Sequence, residues 1–168
     1  MDKVIQELVN QISDQSKLSS GAYIPSVGLK DIDHVLDLFK KALFPGVFYR
    51  LEQRSLERGI ESIIYTLKFA LQDLLIRFDY TSPNNFKLCQ DIITSLPQLK
   101  QALWLDIDAI FQGDPAAETH EEVMLSYPSF EAIMIYRIAH QLLQFKCTLF
   151  ARMCTSIAHR QTGIDIHP

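Results

Sequence analysis

The sequence predicts an all-α fold, and three observations carry that expectation. Apolar residues recur every three to four positions along most of the chain, the period of a helix buried along one side. Proline, glycine and serine interrupt the pattern at intervals that suit a bundle of about six to eight helices. Alternation of the strand kind is confined to the last residues, Ile164-Asp165-Ile166-His167-Pro168.

Val4, Ile5, Leu8, Val9 and Ile12 give a first amphipathic helix, broken by Ser19-Ser20-Gly21-Ala22-Tyr23-Ile24-Pro25. A second carries Leu29, Ile32, Val35, Leu36, Phe39, Ala42 and Leu43 on one side. Pro45-Gly46 stops it, because proline lacks a donor for the helical ladder and glycine turns freely. A longer helix runs through Leu51, Ile60, Ile63, Ile64, Leu67, Leu71, Leu74 and Leu75, weakened at Gly59 by roughly 1 kcal/mol against alanine. Ser82-Pro83 reads as a cap and a first-turn proline before Phe86, Cys89, Ile92, Ile93 and Leu96. Ser95 and Pro97 repeat that signal for a helix through Leu99, Leu103, Ile107, Ile110 and Phe111, which Gly113 ends. After the break at Ser126-Tyr127-Pro128, Ala132, Ile133, Ile135, Tyr136, Ala139, Leu142 and Leu143 form one apolar helix. Cys147, Phe150, Cys154, Ile157 and Ala158 form another before Gly163.

A chain of 168 residues, 48% hydrophobic and 21% charged, has the balance of a soluble domain that buries a real core. Its formal charge of −4, without a basic stripe, argues against nucleic acid as a partner. Three cysteines form no disulfide framework, which suits a reducing compartment. The acidic start is no signal peptide, and no apolar run reaches the roughly 18 residues of a membrane span. The expectation is a cytoplasmic protein that does not enter membranes.

Three groups of residues invite a chemical reading. Asp106, Asp108 and Asp114, with Glu118, Glu121 and Glu122, make an acidic stretch. A di-iron bundle would need Glu-x-x-His pairs on facing helices, and none occurs, so a solvated acidic surface is expected and no metal. His34, His120, His140, His159 and His167 show neither mutual helical spacing nor zinc-ligand spacing with cysteine. His140 falls three residues after Arg137, on one face, as a helix-packing pair. Cys147 and Cys154 share a stripe with Phe150 and Ile157 and read as core. Gly113-Asp114-Pro115-Ala116-Ala117 has a self-sufficient local reading: a helix end, then an aspartate N-cap with proline at the first helical position.

Taken in order, Gly113-Asp114-Pro115-Ala116, Ser126-Tyr127-Pro128, Glu131-Ala132, Tyr136-Arg137-Ile138-Ala139-His140 and Gly163-Ile164-Asp165-Ile166-His167-Pro168 resemble the serine O-acetyltransferases. Leu43-Phe44-Pro45-Gly46 extends the likeness, which runs from about residue 43 to 168 and is weak before that. The resemblance implies a helical N-terminal domain over 1–162, and at 163–168 the first step of a left-handed β-helix of hexapeptide repeats. That β-helix would form trimers, take acetyl-CoA as co-substrate and supply the catalytic histidine. By the same resemblance those parts lie beyond this chain, which has no cofactor site of its own and is expected to be inactive alone. Asp114 matches the family's serine-site aspartate, suited to hold the substrate ammonium by a charge-assisted hydrogen bond. Asp165 matches the aspartate that orients the catalytic histidine as it takes the serine hydroxyl proton. Gly113 stands where many relatives have arginine. The implied partners are L-serine and acetyl-CoA, a second copy of the chain in a trimer or dimer of trimers, and cysteine synthase through a C-terminal tail. Two other readings remain: a helical interaction module without enzymatic work, and the head of another β-helix acyltransferase.

Overall fold

The computed structural model describes residues 26–50, 56–78, 80 and 85–168. Every regular element among them is a helix: α1 Leu29–Leu43, α2 Leu56–Arg77, α3 Asn85–Thr94, α4 Leu96–Gly113, α5 His120–Ser126, α6 Pro128–Gln144 and α7 Thr148–Thr162. The expected helix around Val4–Ile12, Leu51 at the head of α2 and the Ser82-Pro83 cap lie outside the described residues.

Helices α6 and α7 pack against each other along their length. Their three-residue connection makes them an antiparallel hairpin. It closes with Lys146 at φ 66°, where the N–H of Cys147 reaches Leu142 O and that of Lys146 reaches Leu143 O, both at 2.9 Å. These are the two bonds of a Schellman ending, made with a lysine in the left-handed position that glycine usually takes. Helix α1 lies against α2, α4 and α7 and sinks Ile32, Leu36, Phe39 and Leu43 into the core. The apolar side of the second helix expected from the sequence is therefore taken up within the chain. Phe150 stacks on Phe78 at 5.2 Å, and Phe130 meets Phe44 edge-on at 6.1 Å. Large side chains remain exposed on α2 and α3 instead, at Tyr65, Phe69, Ile76 and Phe86.

The helix ends at Gly28, Gly163 and Ser95 follow the local chemistry, with one exception. Gly28 precedes α1 without a side chain to cap it, and Asp31 reaches back to accept the Gly28 N–H at 2.7 Å. Arg77 donates to both Asp31 oxygens, at 3.0 and 3.2 Å, tying the end of α2 to the start of α1. That guanidinium holds the Asp31 carboxyl below its ordinary value. Gly163 ends α7 at φ 73°. Ser95 is the exception: it stands before α4 as expected but caps nothing. The chain passes from α3 to α4 in helical conformation there, and the hydroxyl turns back to donate to Ile92 O at 2.5 Å.

Cys147, Phe150, Cys154 and Ile157 are buried together, as their spacing predicts. Burial pushes the Cys147 thiol up to about 11 and Cys154 further, which leaves both as unreactive packing groups. Cys147 gives α7 no cap, and Tyr80 does so from outside the helix. Its hydroxyl accepts the N–H groups of Leu149 and Phe150 at 3.1 and 3.2 Å. Tyr80→Phe keeps the ring and strips both donors of their partner, so urea unfolding should show a loss of about 1 kcal/mol. An unchanged midpoint would mean that water serves these donors equally well.

Candidate functional site

Two of the helix breaks are set by the same device. Asp114 precedes Pro115 and Tyr127 precedes Pro128, and a residue before proline is pushed out of the helical region. Both are accordingly extended, Asp114 at φ −117°, ψ 106° and Tyr127 at φ −90°, ψ 113°. One follows α4 and the other separates α5 from α6, so each side chain projects from a junction. They meet: the Tyr127 hydroxyl donates to Asp114 Oδ2 at 2.7 Å.

Asp114 is not the N-cap that its sequence suggests. Its other oxygen, Oδ1, accepts the Ala116 N–H at 2.9 Å, and its carbonyl accepts the Ala117 N–H at 3.1 Å. This is a turn with aspartate first and proline second, both favoured there. Helix α5 begins six residues on, where Thr119 Oγ1 accepts the Glu122 N–H at 3.0 Å. Threonine with a glutamate three residues later outcompetes the aspartate as a helix start. Gly113, where a β-carbon would meet nothing within 4 Å, is not required by the backbone and leaves room for a larger side chain.

The Ala116 N–H, and after it the Tyr127 hydroxyl, hold the Asp114 carboxyl below its ordinary value, while the carboxylate pushes the tyrosine up to about 12. Both shifts have the sign of one bond between ionised acid and neutral phenol. It persists from below the usual carboxylate range to above the usual phenol range. At each extreme, protonating the acid or ionising the phenol removes it.

The other carboxylates of the acidic stretch are not uniformly solvated. Asp106 is 19% exposed and takes the guanidinium of Arg137 on α6 through two bonds, one from Nη2 to Oδ1 at 2.7 Å. Sequence spacing could not show this pair, which joins different helices, and the expectation of a free acidic surface fails there. His120 stacks on Phe111 and Trp104, with ring centres 4.3 and 5.6 Å away, and faces Asp108 at 3.4 Å. His140 is exposed beside Tyr136 and Gln144 and makes no pair with Arg137. Among the described residues, no cluster of histidine, cysteine and carboxylates could hold a metal ion.

Asp165 follows the end of α7. Gly163 turns the chain back, and Asp165 becomes exposed in a groove of about 610 Å³ beside Arg152, His159 and His167. The tail is not without a partner, since Ile166 packs against the chain's own core. A second groove is lined by Tyr127, Pro128, Gln161 and Thr162. The exit from α7 and the Asp114–Tyr127 pair therefore share one end of the bundle, although no described hydrogen bond joins the two aspartates.

No family model matches the chain. Among curated proteins, a plasmid-encoded serine acetyltransferase of Synechococcus elongatus is 42% identical over 82 residues, 49% of this chain and 26% of that protein. A serine acetyltransferase of Bacillus subtilis is 44% identical over 63 residues, covering 38% and 29%. Serine acetyltransferase isoform 3 of Entamoeba histolytica, solved in complex with cysteine, superposes over 97% of this chain with a TM-score of 0.70 and 28% identity. The chain is thus similar to serine acetyltransferases, in sequence over its matched segments and in fold over nearly all of its length. It spans 57% of that solved chain, and its matched segments span well under half of the curated relatives. The all-helical fold is that of the matching part of these enzymes.

Tyr127 is the residue that sequence reasoning treated as a break and as part of a resemblance, without a chemical role. Its one legible signal is the following proline; the partner 13 residues upstream is not readable from spacing. At a pH of about 11, an ordinary tyrosine is mostly ionised, whereas Tyr127 should remain protonated. Carbon NMR of ring-labelled tyrosine reads this directly, and a Tyr127 signal that moves with the exposed tyrosines would contradict the bond.

Proposed function

We propose that the protein to which this chain belongs transfers acetyl from acetyl-CoA to the L-serine hydroxyl, giving O-acetylserine for cysteine synthesis. The reading rests on homology to serine acetyltransferases together with one observation: an ordered, ionised carboxylate at Asp114, at the end of the bundle where the chain leaves α7. In this reading Asp114 receives the serine ammonium. Asp165 opens a β-helical domain after Gly163 and orients a catalytic histidine that the continuing chain supplies. That histidine would take the hydroxyl proton as the oxygen attacks the thioester, and the resulting imidazolium would be steadied by the carboxylate. The acetyl-CoA site belongs to the same continuation, so these 168 residues alone are expected to be inactive.

Further elements of the proposal rest on kinship or on surface. A cytoplasmic location agrees with the absence, among the described helices, of one long and apolar enough to cross a membrane. Assembly into a trimer or a dimer of trimers is supported by the exposed Tyr65, Phe69 and Ile76 of α2, since clustered apolar surface commonly marks an interface. Cysteine synthase is the proposed partner of a tail further along the chain.

In the full-length enzyme, Asp114→Asn keeps an oxygen for the Ala116 N–H and removes the charge. It should raise the KM for serine about 10- to 100-fold, the loss of one charge-assisted hydrogen bond, and leave the KM for acetyl-CoA nearly unchanged. Equal losses for both substrates, or a large fall in melting temperature, would assign Asp114 to folding instead.

A further inference from the structure

Three of the carboxylates that tie helices together face cations, Asp31 meeting Arg77, Asp106 meeting Arg137 and Glu131 meeting Lys40, while the exposed Asp33 takes the Gln161 amide through one oxygen at 2.8 Å. Asp114 differs in kind. Both its oxygens are held, one by a backbone N–H and one by a phenol, and both donors are neutral. A carboxylate has about four lone-pair sites, so two bonds from different directions fix its plane and leave acceptor capacity on each oxygen. A neutral donor also leaves the negative charge intact, where an arginine would have cancelled it. A carboxylate meant only to lock two elements gains most from a cation; one meant to meet a cationic ligand needs to be oriented without being neutralised.

Tyr127 is built to hold that place. Pro128 fixes its backbone outside the helix. Its N–H reaches Val123 O at 3.3 Å and its carbonyl receives the Glu131 N–H at 3.2 Å, joining it to α5 and α6. The ring packs against the core, so the hydroxyl arrives from a fixed direction. We propose that Tyr127 is a positioning residue for substrate recognition: its hydroxyl fixes the Asp114 carboxylate, still charged, in the orientation that receives the ammonium of an amino-acid substrate. This rests on the reading of Asp114 as the ammonium site. Tyr127 acts through Asp114 and need not touch the substrate.

Tyr127→Phe preserves the ring and removes only the donor. In the full-length enzyme it should raise the serine KM by about tenfold, with kcat and the acetyl-CoA KM within about twofold of wild type on the same grounds. Added to Asp114→Asn, it should cost nothing further, because the group it positions is already altered. If Asp114→Asn itself leaves the serine KM unchanged, the ammonium-site reading fails and this inference with it. If Asp114→Asn raises it and Tyr127→Phe does not, the positioning role alone is overturned. Parallel losses for both substrates would also overturn it, as the mark of a merely structural tyrosine. A measurement without turnover stands beside these. In this chain, the Asp114 carboxyl carbon followed by NMR should titrate at higher pH in Tyr127→Phe than in wild type, and an unmoved midpoint would contradict the inference.

Discussion

The packing of α6 into the core is the constraint on which the other features depend. Its apolar side, Phe130, Met134, Ile135, Ile138 and Leu142, is almost wholly buried. Truncating a phenylalanine such as Phe130 to alanine removes about 3–5 kcal/mol in comparable cores, a large part of a typical domain's net stability. The polar side of the same helix receives the cross-links. Lys40 from α1 reaches Glu131, Asp106 from α4 reaches Arg137, and Asp114 after α4 reaches Tyr127 at the helix start. Seating one helix therefore sets the positions of α1, α4 and the turn that carries Asp114.

Half-buried ion pairs of this sort contribute modestly to stability, because desolvation offsets much of the attraction. Their effect is on register. Asp106 and Arg137 meet through two bonds, a geometry that a slip of one helical turn along either helix would break. The site end of the bundle inherits that register. Tyr127 comes just before α6, so its hydroxyl finds Asp114 at 2.7 Å if α4 and α6 are correctly set against each other.

Much of the fold was legible because its determinants are local. The stops at Pro45-Gly46, Ser126-Tyr127-Pro128 and Gly163 act within a few residues, and the apolar stripes of α1, α6 and α7 belong to single helices. The failures share the opposite property. Asp106 reads as a solvated acid until α6 brings Arg137 to it. Asp114 reads as an N-cap because aspartate before proline opens many helices, but Thr119, five residues later, forms the better start with Glu122. Ser95 follows the capping pattern and fails because no break separates α3 from α4. Tyr127 carries no sequence mark of its role, since a hydroxyl's partner across two junctions is a matter of tertiary geometry. The likeness to serine acetyltransferases directed attention to Asp114; the neutral donors around it emerge from the structure.

The account turns on a carboxylate that the helical bundle orients and leaves charged. The most direct measurement is a crystal structure of the full-length protein with L-serine bound. The account predicts the serine ammonium within hydrogen-bond distance of the Asp114 carboxylate, with the Tyr127 hydroxyl still donating to Oδ2. Serine bound with its ammonium on other groups, and Asp114 turned away from it, would contradict the account.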